Sequence, residues 1–207
     1  MEQRTDEWFA ARCGKVTASR LADVMAKTKS GYAASRQNYM AELICQRLTG
    51  KSQEGFSNAA MQRGTELEPV AREMYVLNQF DANVNEAGFV NHPTLKGFGA
   101  SPDGLVNSDG LLEIKCPNTW THLETLKTGQ PARKYLLQMH AQMMCTGRNW
   151  CDFVSYDDRL PPELAYFETR VALDSQLVDE ITAEVKKFIA ELEKEVEAIL
   201  NRGKEAA

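Results

Sequence analysis

Along the chain, stretches with helical spacing of apolar side chains alternate with stretches of strand-like spacing. Residues 7–12 read as a short helix stopped by Cys13-Gly14, and Thr17 is placed to cap a second helix running to about Ala26. Residues 27–37 are basic and small without strong periodicity, which predicts a mobile loop, either a plain connector or a flap over a substrate. Met40, Leu43, Ile44 and Leu48 fall on one face of a helix over 39–48 that Gly50 closes. A longer helical pattern begins at Asn58 and runs through Met61, Leu67, Val70, Met74 and Leu77. Gly64 and Pro69 interrupt it, so a kink or break is expected there.

Residues 83–90 read as a strand, and Phe98-Gly99-Ala100 leads into a hairpin. Its arms are Ser101-Pro102-Asp103-Gly104-Leu105 and Leu112-Glu113-Ile114-Lys115-Cys116-Pro117, joined by the turn-forming run Asn107-Ser108-Asp109-Gly110. Two helices follow, over 119–127 and 132–145. The second carries Tyr135, Leu136, Met139, Met143 and Met144 as its apolar share, with Gln138, His140 and Gln142 as polar members. Residues 150–156 and 163–171 read as a strand pair around Pro161-Pro162. Val178, Ile181, Val185, Phe188, Ile189, Leu192, Val196 and Ile199 then define a long amphipathic helix over 174–202. This order predicts an α/β (α+β) protein with a central mixed β-sheet flanked by helices, one domain over residues 1–207.

The hairpin is where chemistry concentrates. Side chains alternate faces along a strand, so Glu113 and Lys115 point one way and Ile114 the other. Asp103 lies where the fold-back brings its carboxylate to the same end as Glu113. Two carboxylates with the intervening Ile114 carbonyl suit Mg²⁺ or Mn²⁺. Such a metal activates water and neutralises charge on a phosphoryl oxygen, while Lys115 orients or deprotonates that water or stabilises developing charge. The spacing also fits an ordinary cross-strand ion pair on a surface hairpin. Glu68 gains meaning only if its helix lies beside this hairpin, as a third carboxylate; otherwise it is a solvated helix residue. Arg12 and Ser19 flank a predicted helix start, where free N–H groups favour an anion such as phosphate, although a capped helix with a solvated arginine fits equally.

Composition narrows the class without deciding it. The net charge is −5, yet nine acidic and five basic residues from Asp174 onward account for −4 of it, so the body is nearly neutral and compatible with a basic cleft. Five cysteines without a Cys-x-x-Cys pair, and no His or Cys at ligand spacing around His140, argue for reduced thiols and against zinc. No apolar run reaches the ~18–20 residues of a membrane span, and the charged amino terminus lacks a signal-peptide core; a cytoplasmic protein without a membrane partner is expected.

Several motifs occur together and in order. They are Trp8-x3-Arg12-x-Gly14-x2-Thr17-Ala18-Ser19, Arg63-Gly64-Thr65-x2-Glu68-x2-Ala71-Arg72, Ser101-Pro102-Asp103-Gly104, Glu113-Ile114-Lys115-Cys116-Pro117 and Tyr135-x2-Gln138. The set resembles the phage lambda exonuclease family of viral recombination nucleases, within the restriction-endonuclease-like superfamily, and spans nearly the whole chain. By that resemblance Asp103, Glu113 and the Ile114 carbonyl hold the metal, Glu68 is an accessory carboxylate, and Lys115 is the catalytic lysine. Arg12, Ser19 and Ser101 match positions that hold a terminal 5′-phosphate, Gln138 reaches into the site, and the segment around Lys29 matches a flexible arch over DNA. His140 stands where relatives often carry a second glutamine and receives no role.

The resemblance further implies Mg²⁺-dependent 5′→3′ digestion of one strand of duplex DNA from its ends, leaving a 3′ single-stranded tail. It implies a homotrimeric ring that stays on its substrate, and delivery of the tail to a single-strand annealing protein. Two other readings share parts of the pattern: a structure-selective or site-specific endonuclease of the same superfamily, and a non-catalytic DNA-binding recombination scaffold. The acidic face of the last helix is either solvated or a docking surface for a partner.

Overall fold

The computed structural model describes residues 1–52 and 59–205. Helix α1 (Asp6–Arg12) is capped by Thr5, whose Oγ1 accepts the Trp8 N–H at 3.3 Å. Strand β1 (Val16–Thr17) leads into a 3-10 turn (Ala18–Arg20) and a four-residue helix α2 (Leu21–Val24). The single helix expected up to Ala26 is therefore absent. Thr17 makes no cap, and its Oγ1 lies 3.4 Å from Ser19 Oγ instead.

The loop expected over 27–37 is also corrected. It folds into a ribbon, β2 (Lys27–Thr28) and β3 (Gly31–Tyr32), and α3 (Ala34–Thr49) starts five residues earlier than the pattern suggests. Helix α3 ends at Gly50, whose φ of 67° is the left-handed conformation expected of that glycine. The expected helix start at Asn58 lies outside the described residues. Helix α4 (Ala59–Asn78) runs through Gly64 and Pro69 without the predicted break. Thr65 and Pro69 are exposed, so water can satisfy the carbonyl that loses its partner to proline.

The strand expected over 83–90 is two short strands in different sheets, β4 (Val84–Asn85) and β5 (Val90–Asn91), because the chain crosses between sheets after Asn85. Next come β6 (Phe98–Ala100), β7 (Gly104–Val106) and β8 (Gly110–Lys115), then α5 (Thr119–Thr128), α6 (Arg133–Thr146) and β9 (Trp150–Tyr156). A helical turn α7 (Pro162–Ala165) occupies the start of what reads as the last strand, with proline at its first position; β10 (Tyr166–Ala172) and α8 (Ser175–Glu205) complete the chain.

The main sheet has the order β10-β9-β8-β7-β4, mixed because β8 and β9 run parallel while the other pairs are antiparallel. A second sheet, β1-β6-β5, also mixes directions. Helix α4 covers one face of the main sheet, packing Ala71 and Tyr75 on Leu112, Ile114 and Val154. Helix α6 covers the other, packing Met139 and Met143 on Leu111 and Phe153. The reverse side of α6 joins a third cluster, in which Ile181, Val185, Phe188 and Leu192 of α8 meet Leu21, Leu43 and Phe98. That burial is what the long amphipathic pattern predicts, and it fixes α6 between the sheet and α8. Among the described residues, no helix is long and apolar enough to cross a membrane.

One clamp ties the strand ends together. The Asp157 carboxylate accepts from Arg63 at 2.9 Å and from Arg159 at 2.7 and 3.0 Å, and Arg159 also donates to the Pro117 carbonyl at 3.1 Å. Burial alone would raise the Asp157 carboxyl, but the hydrogen bonds from Arg159 and Thr119 hold it well below the usual carboxylate range. A depressed carboxyl stabilises the fold fully above its unfolded pKa of about 3.9, and the contribution is lost as pH falls through the lower folded value. Asp157→Asn should therefore destabilise by about 1–3 kcal/mol at pH 7, and the gap should narrow by about 1 kcal/mol near pH 3. Urea unfolding of both proteins at the two pH values checks this; an equal gap at both would contradict it.

Candidate active site

The β7–β8 hairpin carries the site. Its register pairs Val106 with Gly110, Leu105 with Leu111 and Gly104 with Leu112. Extended by one residue, that register sets Asp103 opposite Glu113. The Asp-Gly of the sequence serves packing rather than the turn. The left-handed residue is Asn107 (φ 48°), whereas a Cβ on Gly110 would lie 2.0 Å from the Trp150 ring.

Asp103 Oδ2 accepts the Ile114 backbone N–H at 2.7 Å, which bends the carboxylate over the end of β8. Arg72 donates to the Asp103 backbone carbonyl and holds the preceding bend. Because Leu111 faces α6 and Ile114 faces α4, the alternation puts Glu113 and Lys115 on the α6 side, as expected from the sequence. Glu113 is fully buried there. Gln142 Nε2 donates to its Oε2 at 2.6 Å, and the Lys115 ammonium forms an ion pair with its Oε1.

Three ionisable groups packed this closely perturb one another. Burial pushes the Asp103 carboxyl well above its ordinary range, and the charges of Glu113 and then Glu68 add to the shift against Lys115 and the Ile114 amide. Burial would lower the Lys115 pKa, but Glu113 and Asp103 overcome it and hold the ammonium above its usual value. The neighbouring Cys116 thiol, half-buried and near Glu68, is pushed up to about 12 by loss of water and then by the Glu68 charge, so it is no nucleophile at neutral pH.

Glu68 stands apart from that pair. It projects from α4, on the opposite face of the sheet from Glu113, and its Oε2 accepts from Arg4 at 2.8 Å. Among the described residues no three Asp, Glu, His or Cys side chains converge as a metal cage. The oxygens available to a hard cation at the hairpin end are the Asp103 and Glu113 carboxylates and the Ile114 carbonyl. Glu68 borders the same cleft, lining one cavity of 310 Å³ with Asp103 and another of 460 Å³ with Ile114 and Lys115.

The residues matched to phosphate binding do come together. Arg12, Ser19, Ser101 and Gln138 line a cavity of 170 Å³ that also touches Asp103. Trp8 Nε1 donates to Ser101 Oγ at 2.9 Å, Arg12 lies 3.4 Å from the same oxygen, and the Arg12 guanidinium stacks 4.0 Å above the Trp8 ring. Ser19 belongs to the 3-10 turn, and α2 is too short to present an anion-binding N-terminus, so the cavity's polarity comes from side chains. Lys29 is exposed at the tip of the β2–β3 ribbon and lines none of these three cavities. That ribbon is tied to α8 through Lys27 and Tyr32, both bound to Glu184. His140 is structural: Nε2 accepts the Asp174 N–H at 3.1 Å, ahead of α8.

Sequence reasoning passed over Gln142 and Arg4. Gln142 lies one turn beyond Gln138 on a methionine-rich helix, and its Oε1 is buried without a donor among the described residues. A fully buried amide flanked by apolar residues signals an internal partner. Naming that partner requires knowing that α6 lies on β8. Arg4 carries no local signal at all.

Residues 7–149 match the family described as YqaJ-like viral recombinase domain. A solved alkaline exonuclease, LHK-Exo from Laribacter hongkongensis, is 62% identical, with 98% of this chain and 100% of that one covered at a TM-score of 0.91. The same protein in complex with dAMP superposes with a TM-score of 0.92 at the same identity. A phage related exonuclease from Haemophilus somnus 129PT shares the fold at 16% identity, covering 89% of this chain and 96% of that one with a TM-score of 0.69. No curated protein matches the chain. Family match, near relative and hairpin geometry agree with the resemblance to the phage lambda exonucleases: the chain belongs to the family of YqaJ-like viral recombinase domains and is a nuclease of restriction-endonuclease-like fold.

Proposed function

We propose that this chain is a divalent-metal-dependent exonuclease that degrades one strand of linear duplex DNA 5′→3′ and leaves a 3′ single-stranded tail for strand annealing. The observation that carries the reading is the convergence of half-buried Asp103 and Lys115 on the fully buried Glu113 at one hairpin end, beside a cavity lined by Arg12 and Ser101. Support comes also from the relative named as an alkaline exonuclease and solved with dAMP.

The donor set fits Mg²⁺, with Mn²⁺ as a substitute. Its oxygens are hard, and the Asp103 carboxyl, raised first by loss of water and then by the charge of Glu113, would be held ionised by a bound cation. Asp103, Glu113 and the Ile114 carbonyl would be the ligands, with Glu68 as an accessory carboxylate. When bound, the metal supplies an acidified water and neutralises charge on the phosphoryl oxygen. The chain's own groups do the rest. Gln142 fixes the Glu113 carboxylate by its 2.6 Å hydrogen bond. Lys115 orients the attacking water and offers its charge to the phosphate as negative charge builds there. Arg12 and Ser101, with Ser19 and Gln138, hold the terminal 5′-phosphate so that the next phosphodiester meets the carboxylates. Lys29 contributes to duplex binding away from the chemistry.

The wider reading follows the motif resemblance. The 207 residues form one nuclease domain, three copies form a ring around the duplex, and topological linkage makes digestion processive without base-specific contacts. The ring hands its tail to a single-strand annealing protein in the cytoplasm of a phage or prophage host.

A linear duplex labelled separately at its 5′ and 3′ ends tests the activity. With Mg²⁺ the 5′ label should leave first as mononucleotide, EDTA should stop release, and a closed circular duplex should stay intact. Nicking of the circle would instead identify an endonuclease. Glu113→Ala and Lys115→Ala should each lower release by at least about 10²-fold while end binding persists in Ca²⁺. Undiminished release by either variant would refute the assignment.

Preference for the end chemistry is a separate expectation. The wild type should degrade 5′-phosphorylated ends faster than 5′-hydroxyl ends, and Arg12→Ala should bring the two rates together. Initial rates on matched duplexes measure this; equal rates for the wild type would remove the phosphate anchor.

A further inference from the structure

Of the residues lining the 170, 310 and 460 Å³ cavities around the hairpin end, only Arg4 lines all three. Its backbone adopts φ 68°, a left-handed conformation that is strained for any residue with a Cβ. The neighbouring Gln3 sustains it. Gln3 Nε2 donates to the Ala87 carbonyl at 2.9 Å and to the Pro102 carbonyl at 2.8 Å, pinning this arm to the residue just before Asp103. The arm is thus fixed where the backbone must bend, and it aims a guanidinium into the cleft.

The partner Arg4 holds there is easily exchanged. Arg4 Nη2 meets Glu68 Oε2 at 2.8 Å, with the arginine side chain 53% exposed and the glutamate 25%. Ion pairs this open to water are weak. A phosphodiester presents a comparable pair of oxygens to the guanidinium fork, so it can take the place of the carboxylate. Arg12 cannot take that place, because it is stacked on Trp8 and turned toward Ser101.

We propose that Arg4 is a further nucleic-acid contact of this nuclease. On arrival of a DNA end its guanidinium leaves Glu68 for the phosphodiester that follows the terminal nucleotide, and the Glu68 carboxylate is released into the cleft beside Asp103. Substrate entry and completion of the carboxylate site are then one event. The inference rests on the exonuclease reading given above.

Its test is a binding measurement with the full chain. Fluorescein-labelled duplexes ending in 5′-phosphate or 5′-hydroxyl are titrated in Ca²⁺ by anisotropy over a series of KCl concentrations, using the wild type, Arg4→Gln and Arg4→Lys. Arg4→Gln should weaken both duplexes equally, about tenfold at low salt. It should also reduce the slope of log K against log salt by about 0.9, as for the loss of one phosphate contact. Arg4→Lys should keep the wild-type slope. Unchanged melting temperatures exclude a folding effect, since the side chain is half exposed. A wild-type slope in Arg4→Gln, or tighter binding by it, would overturn the inference and leave the nuclease reading standing. A wild type that neither binds nor degrades duplex ends would overturn that reading itself.

Discussion

Everything at this site depends on the pairing of β7 with β8. One register places Asp103 across from Glu113 and leaves Lys115 at the open end of the same face. A slip by one residue would turn Glu113 and Lys115 toward α4 and put Ile114 in the cleft. Two carboxylates and an ammonium in little water are costly to gather, and the fold offsets the cost with fixed donors: the Ile114 amide on Asp103 and the Gln142 amide on Glu113. Removing water from the group makes each of its charges act more strongly on whatever anion enters.

The scaffold's job is to keep that register and bring other elements to it. Helix α6 does two things at once. Its methionines seal one face of the sheet while Gln138 and Gln142 reach the cleft, and α8 holds the helix down from behind. On the opposite face α4 supplies Glu68 and Arg72 to the cleft rim, and Arg63 to the clamp on Asp157. Through Arg159 that clamp also holds the Pro117 carbonyl, two residues beyond Lys115. The active end of β8 is therefore held from several sides, which suits positioning of charged groups to within fractions of an ångström.

Much of this is legible in local sequence, for physical reasons. Strand β9 has the bounds read from the sequence for the run Trp150–Tyr156, and α8 follows its apolar spacing. The hairpin announces itself through turn residues between two arms, and alternation alone puts Glu113 and Lys115 on one face. What local pattern hides is whatever depends on distant partners. The β2–β3 ribbon looks like a loop because Glu184, some 150 residues later, helps hold it. The segment over 83–90 looks like one strand because nothing local marks its passage between sheets. Local spacing makes Glu68 a solvated helix residue, and only the packing of α4 on the sheet brings it to the cleft beside Asp103, where it rests on Arg4. Gln142 and Arg4 become visible only once α6 and the amino-terminal arm are laid against the hairpin.

The most direct measurement is anomalous diffraction from crystals soaked in Mn²⁺. If the hairpin gathers its carboxylates to hold a cation, a single strong peak should lie within 2.0–2.5 Å, roughly the span for hard cations, of Asp103, Glu113 and the Ile114 carbonyl. The Lys115 ammonium should draw back from Glu113 as the peak fills. Full occupancy elsewhere, with the Lys115–Glu113 pair undisturbed and no density among those oxygens, would contradict it.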